Sequence, residues 1–188
     1  MKIASICILA LILQNSSFAY SKKEIADTLK KQAELVNIDK RVLYTIAKIE
    51  SNFTPFIISF TSKNKDFKFE NVKMRISPYK NKYLISIRGN KQNLIKVAKE
   101  LISKGYLVDV GIMQINSQNF TASELDKMFE LNHNISKSAR VLKLCGSKYN
   151  NIPHAIECYN KGFRKKASLS YYNRFKTSFL KDFAGVKL

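Results

Sequence analysis

Residues 39–55 read DKRVLYTIAKIESNFTP. Asp39 stands where a helix cap belongs. Leu43, Ala47 and Glu50 then recur on one stripe, with Val42, Ile46 and Ile49 beside it, and the pattern runs out near Ser51. This helix therefore turns a carboxyl group toward its buried face. Burial disfavours the ionised form of a carboxyl, so the stripe predicts a raised pKa for Glu50 and a proton available for general acid work. The same residues also fit a glutamate at a helix end paired with one of the many Lys or Arg side chains, and the helix alone leaves both readings open.

Upstream of this segment, Ile25, Leu29, Ala33 and Val36 recur at helical spacing over residues 22–36, and Asn37 and Ile38 break the pattern. Downstream of Pro55 the period shortens. KFENVKMRIS and KYLISIRG read as two β runs, separated by Ser77, Pro78 and a polar Lys-Asn-Lys turn, which predicts a small hairpin. A helix follows over 93–103, with Leu94, Val97, Ala98 and Leu101 on one face and Gly105 as its stop. A loop through Asp109 and Gly111 leads into MQIN. Beyond it the pattern gives a short helix near 123–129, another starting after a capping Asn134, and a third begun by Pro153. A terminal helix carries Tyr171, Phe175, Phe179 and Phe183 at spacings of four, an arrangement that packs one face into a core and makes no base-stacking platform. The predicted fold class is α+β, mostly α-helical, with a small β-hairpin element.

The first residues, MKIASICILALILQNSSFAYSK, combine Lys2, an apolar run from Ile3 to Leu13 and the small-x-small triplet Ser17-Phe18-Ala19. That is the pattern of an export signal cleaved after Ala19, and its apolar run is shorter than the ~20 residues a membrane span needs. Residues 20–188 would then form one domain. Cys7 leaves with the signal, so the mature chain keeps Cys145 and Cys158. In an oxidising compartment they can pair, while two small buried thiols fit the sequence equally well. The formal net charge of +19 falls by only one when Lys2 leaves. Positive charge is spread along the chain, with no dedicated basic run, so it describes a general field that gathers the protein at anionic wall polymer and lipid head groups, and the export signal argues against nucleic acid as partner.

Four segments in order, ESNFTP at 50–55, DVGIMQIN at 109–116, NISKSARVL at 134–142 and AIECYNKG at 155–162, resemble the lytic transglycosylases of the goose-lysozyme-like (SLT) group. Order and spacing are most similar to the small exported members that accompany type III and type IV secretion systems, pili and conjugation machines. The resemblance covers roughly residues 37–165 and implies a lysozyme-like fold. It also implies that Glu50 is the catalytic acid and base, with Ser51 completing the family's Glu-Ser pair. In the second segment Gly111 would let backbone pass close to sugar, Met113 would supply an apolar surface and Gln114 would hydrogen-bond the glycan. Tyr159 and Asn160 match the Tyr-Asn pair, whose phenol lies near the catalytic carboxyl and whose amide contacts sugar. Residue chemistry alone also allows Met113 as core filler, Gly111 as a simple turn and Tyr159 as a packed ring. The chain departs from the family pattern at Asn52, where many relatives have Gly, and at Ile112, where they have Leu. The stretch 60–108 has no general family counterpart.

The implied reaction cleaves the β-1,4 bond between N-acetylmuramic acid and N-acetylglucosamine in peptidoglycan and leaves a 1,6-anhydro end, with one carboxyl group serving as acid and then base. A two-carboxylate glycosidase needs a second acid across the scissile bond, and Asp109 is the nearby candidate. No cofactor is implied. His133 and His154 are isolated and form no metal-ligand pattern. Two rivals follow from the same residues, a muramidase that uses water on this scaffold and a catalytically idle wall-binding assembly protein. The retained set Glu50, Gln114, Tyr159 and Asn160 speaks against the idle protein.

Overall fold

In the computed structural model, residues 20–163 and 168–185 are described. The predicted export signal lies outside them. Helix α1 (Lys22–Val36) starts in a capping box, in which Ser21 and Glu24 each satisfy the other's backbone N–H, and ends at Asn37 in the left-handed region. Helix α2 (Lys40–Ser51) is capped by the Asp39 side chain on the Arg41 N–H, and it buries Leu43, Ile46 and Ala47. Both agree with the apolar spacing.

Strand β1 (Ile57–Ser62), β2 (Val72–Tyr79), β3 (Lys82–Gly89), β4 (Val108–Val110) and β5 (Ile115–Asn116) form one sheet in the order β2-β3-β1-β4-β5, with neighbouring strands antiparallel. The expected hairpin is the β2–β3 pair. Pro78, expected in the turn, instead pairs with Tyr83 inside β2. An edge strand tolerates this, because one side of its backbone faces no partner and the missing N–H costs no ladder bond. The turn is made by Lys80, at φ 53, and Asn81. Side chains alternate across the sheet. Ile58, Phe60, Ile85, Ile87, Val108 and Val110 are buried on the face that helix α3 (Lys91–Ser103) covers with Leu94, Val97, Ala98 and Leu101. The opposite face carries Ser59, Ser86 and Asp109.

Past β5 the chain makes short 3₁₀ turns at Ala122–Glu124 and Lys127–Phe129, where the sequence predicts a short α-helix. Helix α4 (Leu131–Lys148) begins upstream of Asn134, so this residue is not the expected cap but a buried member of the first turn. Helix α5 (Ile152–Lys161) starts with Pro153 in its first turn and ends at Gly162, and α6 (Ser170–Asp182) buries Tyr171, Phe175 and Phe179. A disulfide joins Cys145 on α4 to Cys158 on α5. The architecture is thus α+β and mostly helical, with α1 packed on α2 and α4, α5 on α4 and α6, and α6 on α2. Among the described residues no helix is long and apolar enough to cross a membrane.

Candidate active site

Glu50 is the penultimate residue of α2, at the junction of helix and sheet. The chain leaves this helix through two consecutive left-handed residues, Asn52 at φ 51 and Phe53 at φ 59. The left-handed region is what a glycine meets freely, and asparagine is among the few other side chains that tolerate it, which accounts physically for Asn52. Phe53 is the costlier residue of the two, and its ring is held against Tyr44 with centroids 4.8 Å apart. Ser51 is buried. Its hydroxyl donates to the Ile112 carbonyl at 2.7 Å and accepts from the Thr54 N–H at 3.1 Å, tying the end of α2 to the loop 111–114. Its role in this geometry is that of a clamp.

That loop is held from three sides. Gly111, at φ 79, donates its N–H to the Ile57 carbonyl at 2.9 Å, and Gln114 is itself left-handed at φ 47. Below it lies Asn134. Its side-chain oxygen accepts from the Met113 N–H at 2.9 Å, while its amide donates to the carbonyls of Val110 and Met128, each at 2.9 Å. A Cβ on residue 111 would come within 2.4 Å of the Asn134 amide nitrogen and 2.5 Å of the Met128 carbonyl oxygen. Gly111 is therefore required by the close approach of α4, in addition to its backbone conformation. Met113 is fully buried and fills the core, so it offers the glycan no apolar surface. Gln114 is half-buried; its amide donates to the Gly111 carbonyl at 2.8 Å and its oxygen accepts from the Ser59 hydroxyl at 2.6 Å.

The phenol on the Glu50 carboxyl is not the one expected. Tyr171 of α6 donates to Glu50 Oε1 at 2.5 Å. Tyr159 instead donates to the Met113 carbonyl at 2.8 Å and shares a hydrogen bond with Ser138 at 2.9 Å, its ring stacked on that of Tyr171 with centroids 6.4 Å apart. The reason is packing. Helix α6 lies against α2, whereas α5 lies against α4, so the phenol of α5 meets the loop carbonyl before it reaches Glu50. Asn160 follows on α5 and is exposed. Tyr171 is itself fixed from behind, because the buried Glu157 accepts from the N–H of Tyr172 at 2.8 Å and pairs with Lys161, whose ammonium also reaches the Ser168 carbonyl and the Ser170 hydroxyl at 3.2 Å. The sequence shows Tyr171 as the head of the aromatic stripe, and its being the one member with a polar tip is the signal that separates it from the phenylalanines. Ser59 carried no such signal, since its strand, IISFTS, lacks a clear alternation.

Desolvation pushes the Glu50 carboxyl up to about 7, outweighing the Tyr171 hydrogen bond and the nearby Arg174, both of which favour its charged form, while Asp109 adds a further upward push. Glu50 is nonetheless only half-buried as a residue, so it is both packed by protein and accessible to a ligand. Arg174 lies over the Tyr171 ring at 5.1 Å. Asp109 on β4 is likewise pushed up by burial to about 6, against the 2.8 Å hydrogen bond it accepts from the Asn116 amide. Between these two values Glu50 is mostly protonated and Asp109 mostly ionised. A protonated carboxyl near neutrality is what acid-catalysed glycosidic cleavage needs, and a neighbouring ionised one is what a two-carboxylate glycosidase adds.

A mostly helical α+β fold, with a proton-holding glutamate set at a helix end against a small sheet, defines the lysozyme-like class of glycan-cleaving proteins. Within it the chain belongs to the transglycosylase SLT domain family, whose model matches residues 27–179. Members of this family are peptidoglycan lytic transglycosylases. Comparison with curated proteins and with solved structures returned no match.

Proposed function

We propose that this protein is a peptidoglycan lytic transglycosylase with Glu50 as its acid and base. The observation that carries this reading is the Glu50 carboxyl, pushed up to about 7 by burial and held by the Tyr171 phenol. In the protonated form Glu50 delivers its proton to the oxygen linking N-acetylmuramic acid to N-acetylglucosamine, and the bond breaks as the sugar takes on oxocarbenium character. The substrate's own N-acetyl oxygen supports the positive centre. Glu50, now ionised and stabilised by the Tyr171 hydroxyl and by Arg174, removes the proton from the 6-hydroxyl of the muramic acid. That oxygen closes on the anomeric carbon and leaves the 1,6-anhydro end. Gln114 and Asn160 offer amides to sugar hydroxyls and N-acetyl groups, and Ser51, Gly111 and Met113 shape the loop that presents Gln114.

One observation favours a second reading. Asp109, ionised above about 6, lies close enough to raise Glu50, which gives the site a second carboxylate able to activate water. A hydrolytic muramidase on the same fold would use it. The products separate the two, because the anhydro end is lighter by one water. Mass spectrometry of the fragments released from purified peptidoglycan is expected to show the anhydro form. In the same digest Glu50→Gln is expected to release nothing while keeping its fold by circular dichroism, since the amide retains the shape without a proton to give. Fragments carrying only ordinary reducing ends would replace the first reading by the second.

The export-signal pattern in the sequence of residues 1–19 supports a site of action in the periplasm or cell wall, and the likeness to secretion-linked members supports local opening of the wall for a secretion, pilus or conjugation apparatus. Cells producing only the Glu50→Gln form are expected to assemble that apparatus poorly.

A further inference from the structure

The sheet has one face covered by α3; its other face is buried at β1, where Ile57 and Ser59 pack beside the active site, and opens toward the β2–β3 hairpin. Register places Asn116 opposite Asp109, Asp109 opposite Ser59, Ser59 opposite Ser86, and Ser86 opposite Arg75. Facing residues of an antiparallel pair share one side of the sheet, so these five form a single polar row that crosses every strand. At about 4.8 Å per strand, the row from Asp109 to Arg75 covers roughly 14 Å. It starts in the site already described, where Asp109 acts on Glu50 and Ser59 holds Gln114, and it ends on the exposed hairpin.

The hairpin end is cationic. Lys73 pairs with Arg88 in the next row, on the same side as Arg75, and all three side chains are exposed. Like charges placed directly opposite each other repel and weaken the pairing of their strands. Among the described residues none of the three has an acidic partner. This arrangement does nothing for the hairpin itself, and a bound polyanion would offset the repulsion.

We infer that the hairpin end of this face is an outward track for the substrate, where the exposed Lys73, Arg75 and Arg88 bind the carboxylates of the acidic peptide stems on the glycan chain that leaves Glu50. The inference rests on the proposed action on peptidoglycan and names the part of the polymer that this chain's own hairpin reads. The half-buried Ser86 hydroxyl suits sugar hydroxyls and N-acetyl groups, and three cations on two adjacent strands suit carboxylates repeated along a strand.

Binding and cleavage are tested separately. The Glu50→Gln protein is titrated with soluble glycan strands, stems intact or enzymatically removed, at fixed ionic strength, alone and with Lys73→Thr, Arg75→Thr and Arg88→Thr combined. Stem-bearing strands are expected to bind about tenfold tighter than stripped ones, and the triple substitution is expected to bring that ratio close to one. An equal ratio in the two proteins, or no preference in either, overturns the inference. The triple variant is expected to melt no lower than its parent, because the repulsion is gone, so lost binding would not report lost folding. Cleavage by the unsubstituted protein decides the other matter. Stem-selective binding without any cleavage would keep the track and remove the transglycosylase.

Discussion

At the scale of single residues, the chemistry turns on which groups touch one carboxyl. Burial raises Glu50, while the phenol of Tyr171 and the charge of Arg174 restrain the rise by favouring the ionised form. In the proposed reaction the phenol is therefore most useful after the proton has left, when the carboxylate must be held in place to act as base. Tyr171→Phe deletes the 2.5 Å hydrogen bond and leaves the ring stacked on Tyr159. Without a donor to the charged form, the carboxyl rises further, so the alkaline limb of kcat/KM is expected to move above about 7. We expect kcat to fall about tenfold, since the carboxylate left after proton transfer is both less stabilised and less well aimed. A pH profile of both proteins checks this, and an unmoved limb would show that the phenol only packs. Tyr159→Phe makes the matching control: its phenol holds the Met113 carbonyl, so it should cost stability without moving the limb.

Among elements, the loop 111–114 shows how far three separate pieces of chain cooperate to present one glutamine. Helix α2 holds the loop through Ser51, β1 through Ile57 and Ser59, and α4 through Asn134. Asn134→Ala removes all three Asn134 bonds at once and leaves the Met113 N–H and the Val110 and Met128 carbonyls buried without that partner. A buried unsatisfied group costs about 1–3 kcal/mol, so a loss of roughly 3 kcal/mol or more is expected in urea unfolding, with cleavage lost in parallel. Gly111→Ala should act in the same direction, because the added methyl meets the same asparagine. How legible each element was follows from its physics. Helices α1, α2, α3 and α6 declare themselves through apolar spacing, since each packs a single face. Strands β1 and β4 do not, because β1 is buried along nearly its whole length and β4 is only three residues long. Glu50, Gln114 and the Tyr-Asn pair were visible as local motifs. The Asn134 network, Ser59 and the Tyr171 hydrogen bond join residues far apart in sequence, and no local pattern records such contacts. Asn134 in particular looked like a cap because it precedes an apolar periodic run, although α4 begins three residues earlier.

For the whole molecule, the site is a place where stability is lower than it need be. Two carboxyl groups are raised by burial, Glu50 from 4.5 to about 7 and Asp109 from 3.8 to about 6. In the unfolded chain each gives up its proton near its ordinary value, whereas in the folded chain each keeps it to higher pH. Between these values the folded state binds more protons than the unfolded one, so stability falls as pH rises. The decline begins near pH 4, steepens where both groups contribute, and ends once pH has passed about 7. The Cys145–Cys158 disulfide, which ties α4 to α5 behind Tyr159, opposes this loss by shrinking the unfolded ensemble, an effect of about 3 kcal/mol for a loop of this size. Glu50→Gln deletes the larger of the two titrations while keeping an acceptor for Tyr171. Its stability should therefore match that of the parent at pH 4 and exceed it at pH 8, by roughly 3 kcal/mol on the full shift. Urea unfolding at the two pH values measures the difference directly. A variant that gains nothing on going from acid to alkali would mean that the carboxyl is as well solvated in the folded protein as in the unfolded chain, and such a carboxyl could not hold the proton that glycan cleavage needs near neutrality.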